Sequence, residues 1–469
     1  MDAITIFSAI FKYGMWALAA VAVLAAVYAA AYTGYRKVLH GTKSLSLRQG
    51  FVLILLFAWF IVVLGLTALS RGANYTGSVN LSLISGYVSA WNQWSYSELQ
   101  LIIFNMLMFA PLGFLLPFLT ERGKKFPLAC LISLGVTFFI EMLQLATGRG
   151  IFELDDLLHN FIGSIFGYFV AMFFLDCANN RKIRVKPFFC MLVIPLIFTI
   201  GIFSAVLVYH NQKYGNWAFV PAEKQDLSIV SIESSLDLSD EPARMPIYRN
   251  GYANNFEYAK QISEKFADFS QTELRKAIRS EGDSKIFETA DGAQITYFSS
   301  EGYWSYINWN DTVSFDADAA ENNREKIETW LTENGLFPEN ARFSVQNDTM
   351  LRWDVEPDRT ESGDADYMSG LIMAQLDEKN EIAVFDYLIT HNEYVGTEEI
   401  VSPQKAYGQV LEGNFEQYIP FEAGDRLCIT ECSLEYAYDT KGYCRPVYRF
   451  GGYINEKDFA WECLIPAME

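Results

Sequence analysis

LQLIIFNMLMFAPLGFLLPFL (residues 99–119), FPLACLISLGVTFFIEMLQLA (126–146) and LLHNFIGSIFGYFVAMFFL (157–175) are apolar stretches interrupted by polar and small residues. Each is near the ~20 residues that carry a helix across ~30 Å of hydrocarbon. The interruptions are Asn105, Pro111 and Gly113, then Glu141, Gln144 and Arg149, then Asp155, Asp156, Asn160, Gly163 and Gly167. An Asn or Glu inside such a stretch costs roughly 2–3.5 kcal/mol on insertion scales unless something offsets it. Function is therefore expected at these residues.

Outward from this block, six hydrophobic segments are expected in residues 1–209: roughly 13–32, 51–69, 99–119, 126–146, 157–175 and 188–209. With no water in the hydrocarbon, all six must be helices. Loops 33–50, 120–125 and 176–187 hold eleven basic residues, among them Arg36, Lys37, Lys43, Arg48, Arg122, Lys124, Arg181 and Lys186. The opposite side has Lys12, Arg71 and Arg149. The positive-inside rule makes the eleven-residue side cytoplasmic, with the N-terminus and everything after 209 outside. Trp91, Trp94 and Tyr96 suit an outer interfacial belt. A cleaved signal peptide at 19–31 is disfavoured, because the segment lacks a basic n-region.

Residues 210–469 are a different kind of sequence. The whole chain carries net charge −20, of which the first 209 residues contribute +6 and the remainder −26. So acidic a part argues against nucleic acid or anionic lipid as its partner. It reads as an extracytoplasmic α+β domain, 226–469, behind a linker at 210–225. An amphipathic helix is expected over 254–280, with Phe256, Ala259, Ile262, Phe266 and Phe269 near 3.6-residue spacing. A second helix is expected at 318–334 and a third after Ser402-Pro403, closed by Gly413. Strand patterns follow each of these two, giving two related α–β units at about 318–390 and 402–466. Cys428, Cys432, Cys444 and Cys463 permit two disulfides, or are core thiols. Cys428 and Cys432 stand four apart on one strand, ~13 Å, and cannot bond each other. No metal-spaced His or Cys set is present, and His391 reads as a loop residue. Over about 70 residues, "SPQKAYGQVLEG…LCITECSLEYAYDTKGYCRPVYRFGG" resembles the small extracytoplasmic regulatory domains of the PepSY-like and YycH/YycI-like types, which generally are not enzymes.

Depth along the spans brings the polar residues to one layer. At 1.5 Å per residue, Asn105 lies ~9 Å in, Glu141 ~8 Å and Asn160 ~5 Å, all measured from the outer side. Arg149, Asp155 and Asp156 read as parts of the loop between the fourth and fifth spans. Glu141 and Gln144 are i,i+3; Asp156, Asn160, Gly163 and Gly167 also share a face, and Gly163-xxx-Gly167 permits close helix approach. Pro111 and Gly113 can kink the third span. Two readings stay open: a polar network that fixes the bundle, or a shallow ligand pocket, with Glu141 and Asp156 as a candidate acid/base pair. His159 points elsewhere on its helix.

At "NMLMFAPLGFLLP" (105–117), "EMLQLATGRG" (141–150) and "DDLLHNFIGSIFGY" (155–168) the chain resembles the VanZ-like family, loosely over 50–175. It departs from the family at Asn80-Leu81-Ser82-Leu83-Ile84, which lacks an expected proline. The resemblance implies a bacterial multi-spanning membrane protein linked to teicoplanin-type glycopeptide tolerance. The expected function is outer-leaflet binding of a lipid headgroup or cell-wall precursor in envelope maintenance, without a cofactor. A membrane enzyme acting on a lipid-linked precursor, or a sensor reporting to another membrane protein, is the alternative.

Overall fold

The computed structural model describes residues 3–37, 46–69, 79–281, 284–309, 313–314, 317–346, 350–357, 363–417, 419–456 and 459–468. Lys43 and Arg71, two of the residues behind the expected orientation, lie outside these. Two compact units emerge: Met1–Trp91 with Ser95–Asn211, and Asn92–Trp94 with Gln212–Glu469.

The first unit contains α1 (Ala3–Lys37), α2 (Leu47–Leu64), the short β1 (Val79–Asn80), α3 (Ser85–Asn92), α4 (Tyr96–Leu119), α5 (Phe126–Thr147), β2 (Phe152–Glu153), α6 (Leu154–Asn180) and α7 (Val185–Asn211). Five helices are long and apolar enough to cross a membrane: Leu47–Thr67, Tyr96–Leu119, Phe126–Thr147, Leu154–Asn180 and Val185–Asn211. The expected 13–32 span falls within α1, a helix of 35 residues whose described apolar stretch is Phe11–Val23. Ser46 starts α2 through a reciprocal capping box with Gln49. Along α7 large apolar side chains such as Phe189, Ile197 and Phe203 remain exposed, as suits a helix whose surroundings are lipid rather than water.

Close approach of α4 and α6 organises the bundle. A Cβ added to Gly113 would sit 1.7 Å from the Ser164 carbonyl oxygen, and one on Gly163 1.8 Å from that of Met106. At Gly167 the gap to the Ala110 carbonyl is 1.9 Å. Only hydrogen fits there, so the two backbones touch. In lipid, where apolar burial gives helices little reason to associate, such contact supplies the packing. Pro111 lies inside α4 and loosens its hydrogen-bond ladder; the Trp59 indole of α2 donates to the Met108 carbonyl one turn earlier (2.7 Å).

The second unit is sheet-rich. Its strands and helices are β3 (Ser231–Ser234), β4 (Ala243–Asn250), α8 (Phe256–Phe269), β5 (Leu274–Glu281), β6 (Ser284–Thr289), β7 (Gln294–Phe298), β8 (Tyr303–Ile307), β9 (Val313–Ser314), α9 (Ala317–Glu333), β10 (Arg342–Gln346), β11 (Met350–Val355), β12 (Tyr367–Asp377), β13 (Ile382–Ile400), α10 (Pro403–Leu411), β14 (Arg426–Tyr438), β15 (Tyr443–Ile454) and β16 (Ala460–Pro466). They join in one sheet of order β3-β14-β15-β4-β13-β8-β7-β6-β5, with β12 branching from β13, β11 from β12 and β16 from β15. A helix followed by an antiparallel meander occurs three times: α8 with β5–β8, α9 with β10–β13, and α10 with β14–β16. The first of these precedes the two units expected from the sequence.

Two expectations need correction. The helix expected over 254–280 stops at Phe269, because its apolar periodicity ends there; Gln271 turns with φ 58° and LRKAIRSE is β5. His391 lies within β13 opposite Met368 rather than in a loop, since that strand runs unbroken through it. At the start of the expected 210–225 linker, Gly215 is bonded to the segment that joins β14 to β15. Asp439 and Arg445, at the β14–β15 turn, form a buried ion pair (3.0 Å). Asp439 accepts the Gly215 N–H (2.7 Å), and Arg445 donates to the Gly215 carbonyl (2.9 Å) with its guanidinium 4.0 Å from the Trp217 ring centre. Burial pushes the Asp439 carboxyl upward, opposed by the adjacent guanidinium and backbone N–H donors.

The larger core of this unit is aromatic: Phe266 packs among Trp304, Trp330, Tyr306 and Phe385, and Trp304 stacks on Tyr387. A second core gathers under α10 around Phe415, Phe450 and Trp461. The four cysteines of this unit are free thiols. Cys432 and Cys463 both stand opposite Phe450, on the strands either side of it. At 4.7–4.9 Å per strand step that separation exceeds what a disulfide spans.

Candidate functional site

The sequence-selected polar residues lie at and beneath the end of the bundle where α5 turns into α6. α5 ends at Gly148, left-handed at φ 61°, and the Arg149 N–H returns to the Gln144 carbonyl (3.1 Å). That 6→1 bond satisfies a terminal carbonyl and turns the chain sharply. Asp155 and Asp156, expected in the loop, occupy the first turn of α6, where the helix dipole favours carboxylates.

The two aspartates have different work. Asp155 is 5% exposed and accepts the Ile84 and Gly86 N–H groups (2.5 and 2.8 Å) and the Ser85 hydroxyl (3.1 Å). It thereby caps α3, whose lead-in Ile84 has φ 66°. The same segment is anchored by β1 pairing with β2 in parallel, Val79 with Phe152 and Asn80 with Glu153. The element that lacks the expected proline is thus held by backbone pairing and by one carboxylate. Tyr87 in α3 meets His159 edge-on (5.2 Å), and burial, with the Asp155 charge nearby, pushes its phenol up to about 12.

Asp156 turns instead towards α4 and accepts the Asn105 amide (2.5 Å). Across the bundle Glu141 and Gln144 are 1% and 2% exposed, with the Gln144 amide 3.5 Å from the Glu141 carboxylate. Gly150 leaves room for Gln144, whose Oε1 would lie 2.5 Å from a Cβ there. Asn160, one turn below Asp156 on α6, is 3% exposed. Pro111, Gly113, Gly163 and Gly167 belong to the α4–α6 contact.

The polar seam runs deeper than the sequence reading placed it. Ser133 of α5 and Ser164 of α6 share a hydrogen bond (2.7 Å), and Thr137 is fully buried between the Ser133 and Glu141 turns of α5. Ser133, Thr137, Glu141 and Gln144 fall at spacings of four, four and three, a single helical stripe. That spacing was present in the sequence; the hydroxyls escaped notice because Ser and Thr cost little in an apolar helix. Among the described residues no group of three His, Cys, Asp or Glu side chains is placed to hold a metal ion. Chemically the seam offers carboxylate, amide and hydroxyl oxygens, with the half-buried Arg149 as the cation in the adjoining turn.

Comparison with known proteins agrees with the N-terminal part. The VanZ/LLP1 family model matches residues 50–175. No curated protein matches the chain. Two solved structures are similar to part of it. One is an uncharacterized protein from Eubacterium rectale (12% identity, 51% of this chain and 89% of that one, TM-score 0.21). The other is the C-terminal domain of Bacillus megaterium YpeB, over the C-terminal part (15% identity, 47% and 94%, TM-score 0.19). Residues 50–175 are therefore a VanZ/LLP1-family domain, in a chain whose apolar helices fit a multi-pass membrane protein.

Proposed function

We propose that this domain recognises a lipid headgroup or a lipid-linked cell-wall precursor at the outer leaflet, contributing to envelope maintenance and glycopeptide tolerance. The observation that carries the reading is the buried layer in which Asp156 accepts Asn105 while Glu141 and Gln144 stand buried across the bundle. Groups this costly in an apolar helix repay themselves only as a network or as a site. The loop charges support an outward-facing layer. Asp155, engaged by three donors around Ile84–Gly86, serves the frame; Asn105, Glu141, Gln144, Arg149, Asp156 and Asn160 serve the ligand. Glu141→Ala and Asp156→Ala test this in cells challenged with teicoplanin and in purified protein. Lost tolerance at unchanged membrane yield and melting temperature supports a site. Tolerance that falls only in step with folded protein assigns these residues to the framework alone.

A further inference from the structure

Two buried oxygens just beneath the proposed headgroup layer narrow the chemistry of its ligand. α5 and α6 are joined by a short turn and run antiparallel, and the Ser133–Ser164 bond fixes their register. One turn along from that pair, +4 on α5 and −4 on α6, stand Thr137 and Asn160. A further turn along come Glu141 on α5 and Asp156 on α6, whose carboxylate turns to Asn105 of α4. The seam is thus a ladder, a hydroxyl pair followed by hydroxyl and amide, with carboxylates one turn beyond. Among the described residues, the Thr137 hydroxyl and the Asn160 amide oxygen have no hydrogen-bond partner, although the side chains are 0% and 3% exposed. An unmet buried polar atom is costly; the Asn160 oxygen needs a donor and the Thr137 hydroxyl can accept from the same group, so the rung points to a hydrogen-bond donor between them. The neighbouring rung adds carboxylate oxygen, which favours a donor carrying positive charge.

Building on the headgroup reading, we infer that this rung receives the primary ammonium of an aminophospholipid, its N–H groups shared among Asn160, Thr137 and Asp156. A quaternary ammonium has equal charge but no N–H, so it cannot satisfy the two oxygens. Phosphatidylethanolamine and phosphatidylcholine therefore form a matched pair of probes.

Full-length protein is loaded into nanodiscs holding the two lipids in equal amount, and the lipid retained is read by native mass spectrometry. A hydrogen bond to a charged partner is worth ~1.5–3 kcal/mol, so ethanolamine lipid should be retained about tenfold or more over choline lipid. Thr137→Val keeps shape and removes only the hydroxyl; it and Asn160→Leu should bring the ratio towards one. Asn160→Asp keeps the acceptor and should preserve the preference even if the leucine variant folds poorly. Displacement of the lipid by free ethanolamine would assign recognition to the ammonium alone, and resistance to it would assign it to the whole lipid; either supports the inference. Equal retention of both lipids by the parent protein overturns the inference and leaves headgroup binding standing. A preference unaltered in both Thr137→Val and Asn160→Leu also overturns it, since water then satisfies the rung. If no lipid is retained, the headgroup reading itself falls.

Discussion

The α4–α6 contact and the aromatic core around Trp304 solve the same problem with opposite materials. In the sheet-rich unit Trp304, Phe266, Phe385 and Tyr387 are essentially inaccessible, and large side chains fill the space between helix and sheet. In the helical unit the tightest contact is made by glycines, and Ser133, Thr137, Glu141, Gln144 and Asn160 are buried while phenylalanines face outward. The difference follows from the solvent. Water drives large apolar surfaces together, whereas hydrocarbon is indifferent to them, leaving backbone approach and polar contacts to hold helices.

Substitutions can break or sharpen that contrast. Trp304→Ala should be the most damaging, ~3–5 kcal/mol, because the ring is fully buried among aromatics that cannot collapse into its place. Chemical denaturation followed by tyrosine and tryptophan fluorescence measures it; a loss under ~1 kcal/mol would mean the core repacks. Arg445→Met should cost ~3 kcal/mol, the low end for a broken buried pair. Asp439 keeps N–H donors from Gly215, Lys441 and Tyr443 after the guanidinium is gone. Protease cleavage within 212–220 should accelerate along with it.

In the helical unit, Gly163→Ala should cost ~1–3 kcal/mol through overpacking against the Met106 carbonyl. Gly135→Ala, whose added methyl meets nothing within 4 Å, should leave the detergent melting temperature unchanged or raised. Equal effects at the two glycines would refute backbone contact as the organising feature.

The smallest effect is a pH dependence. Burial lowers His391 from 6.5 to about 4, with its Nε2 against the Tyr387 hydroxyl (2.7 Å) and its ring against Tyr252. A histidine held neutral in the folded state binds its proton more readily when unfolded. Its contribution is therefore intact above pH 6.5 and lost progressively as pH falls towards 4. Between pH 7.5 and 5.5 the sheet-rich unit should lose ~1 kcal/mol, a loss that His391→Gln abolishes. An unchanged slope in that variant would assign the titration to another group.

Much of the buried polar layer of the candidate site was legible because polar residues within apolar helices stand out against their surroundings. Asn105, Glu141, Asp156 and Asn160 needed only hydropathy and a helical period, as did the Gly163–Gly167 surface. What escaped depended on distant partners. Nothing near Asp155 in the sequence reveals that it caps a helix some seventy residues earlier. Nothing in 212–217 announces a docking place on a turn more than two hundred residues away. The strand at 274–281 follows an amphipathic helix so closely that periodicity alone extended the helix through it.

By itself, the sequence determined the division into an apolar helical part and an acidic sheet-rich part, and where polar residues interrupt the apolar helices. Those follow from local composition and period, which act over a few residues. Tertiary structure alone decided which aspartate supports the frame and which meets Asn105, and it buried the Thr137 hydroxyl and the Asn160 amide oxygen without a partner among the described residues. Each of these outcomes is set by helix register and by pairing across long loops, where a shift of one residue turns a side chain to a different neighbour.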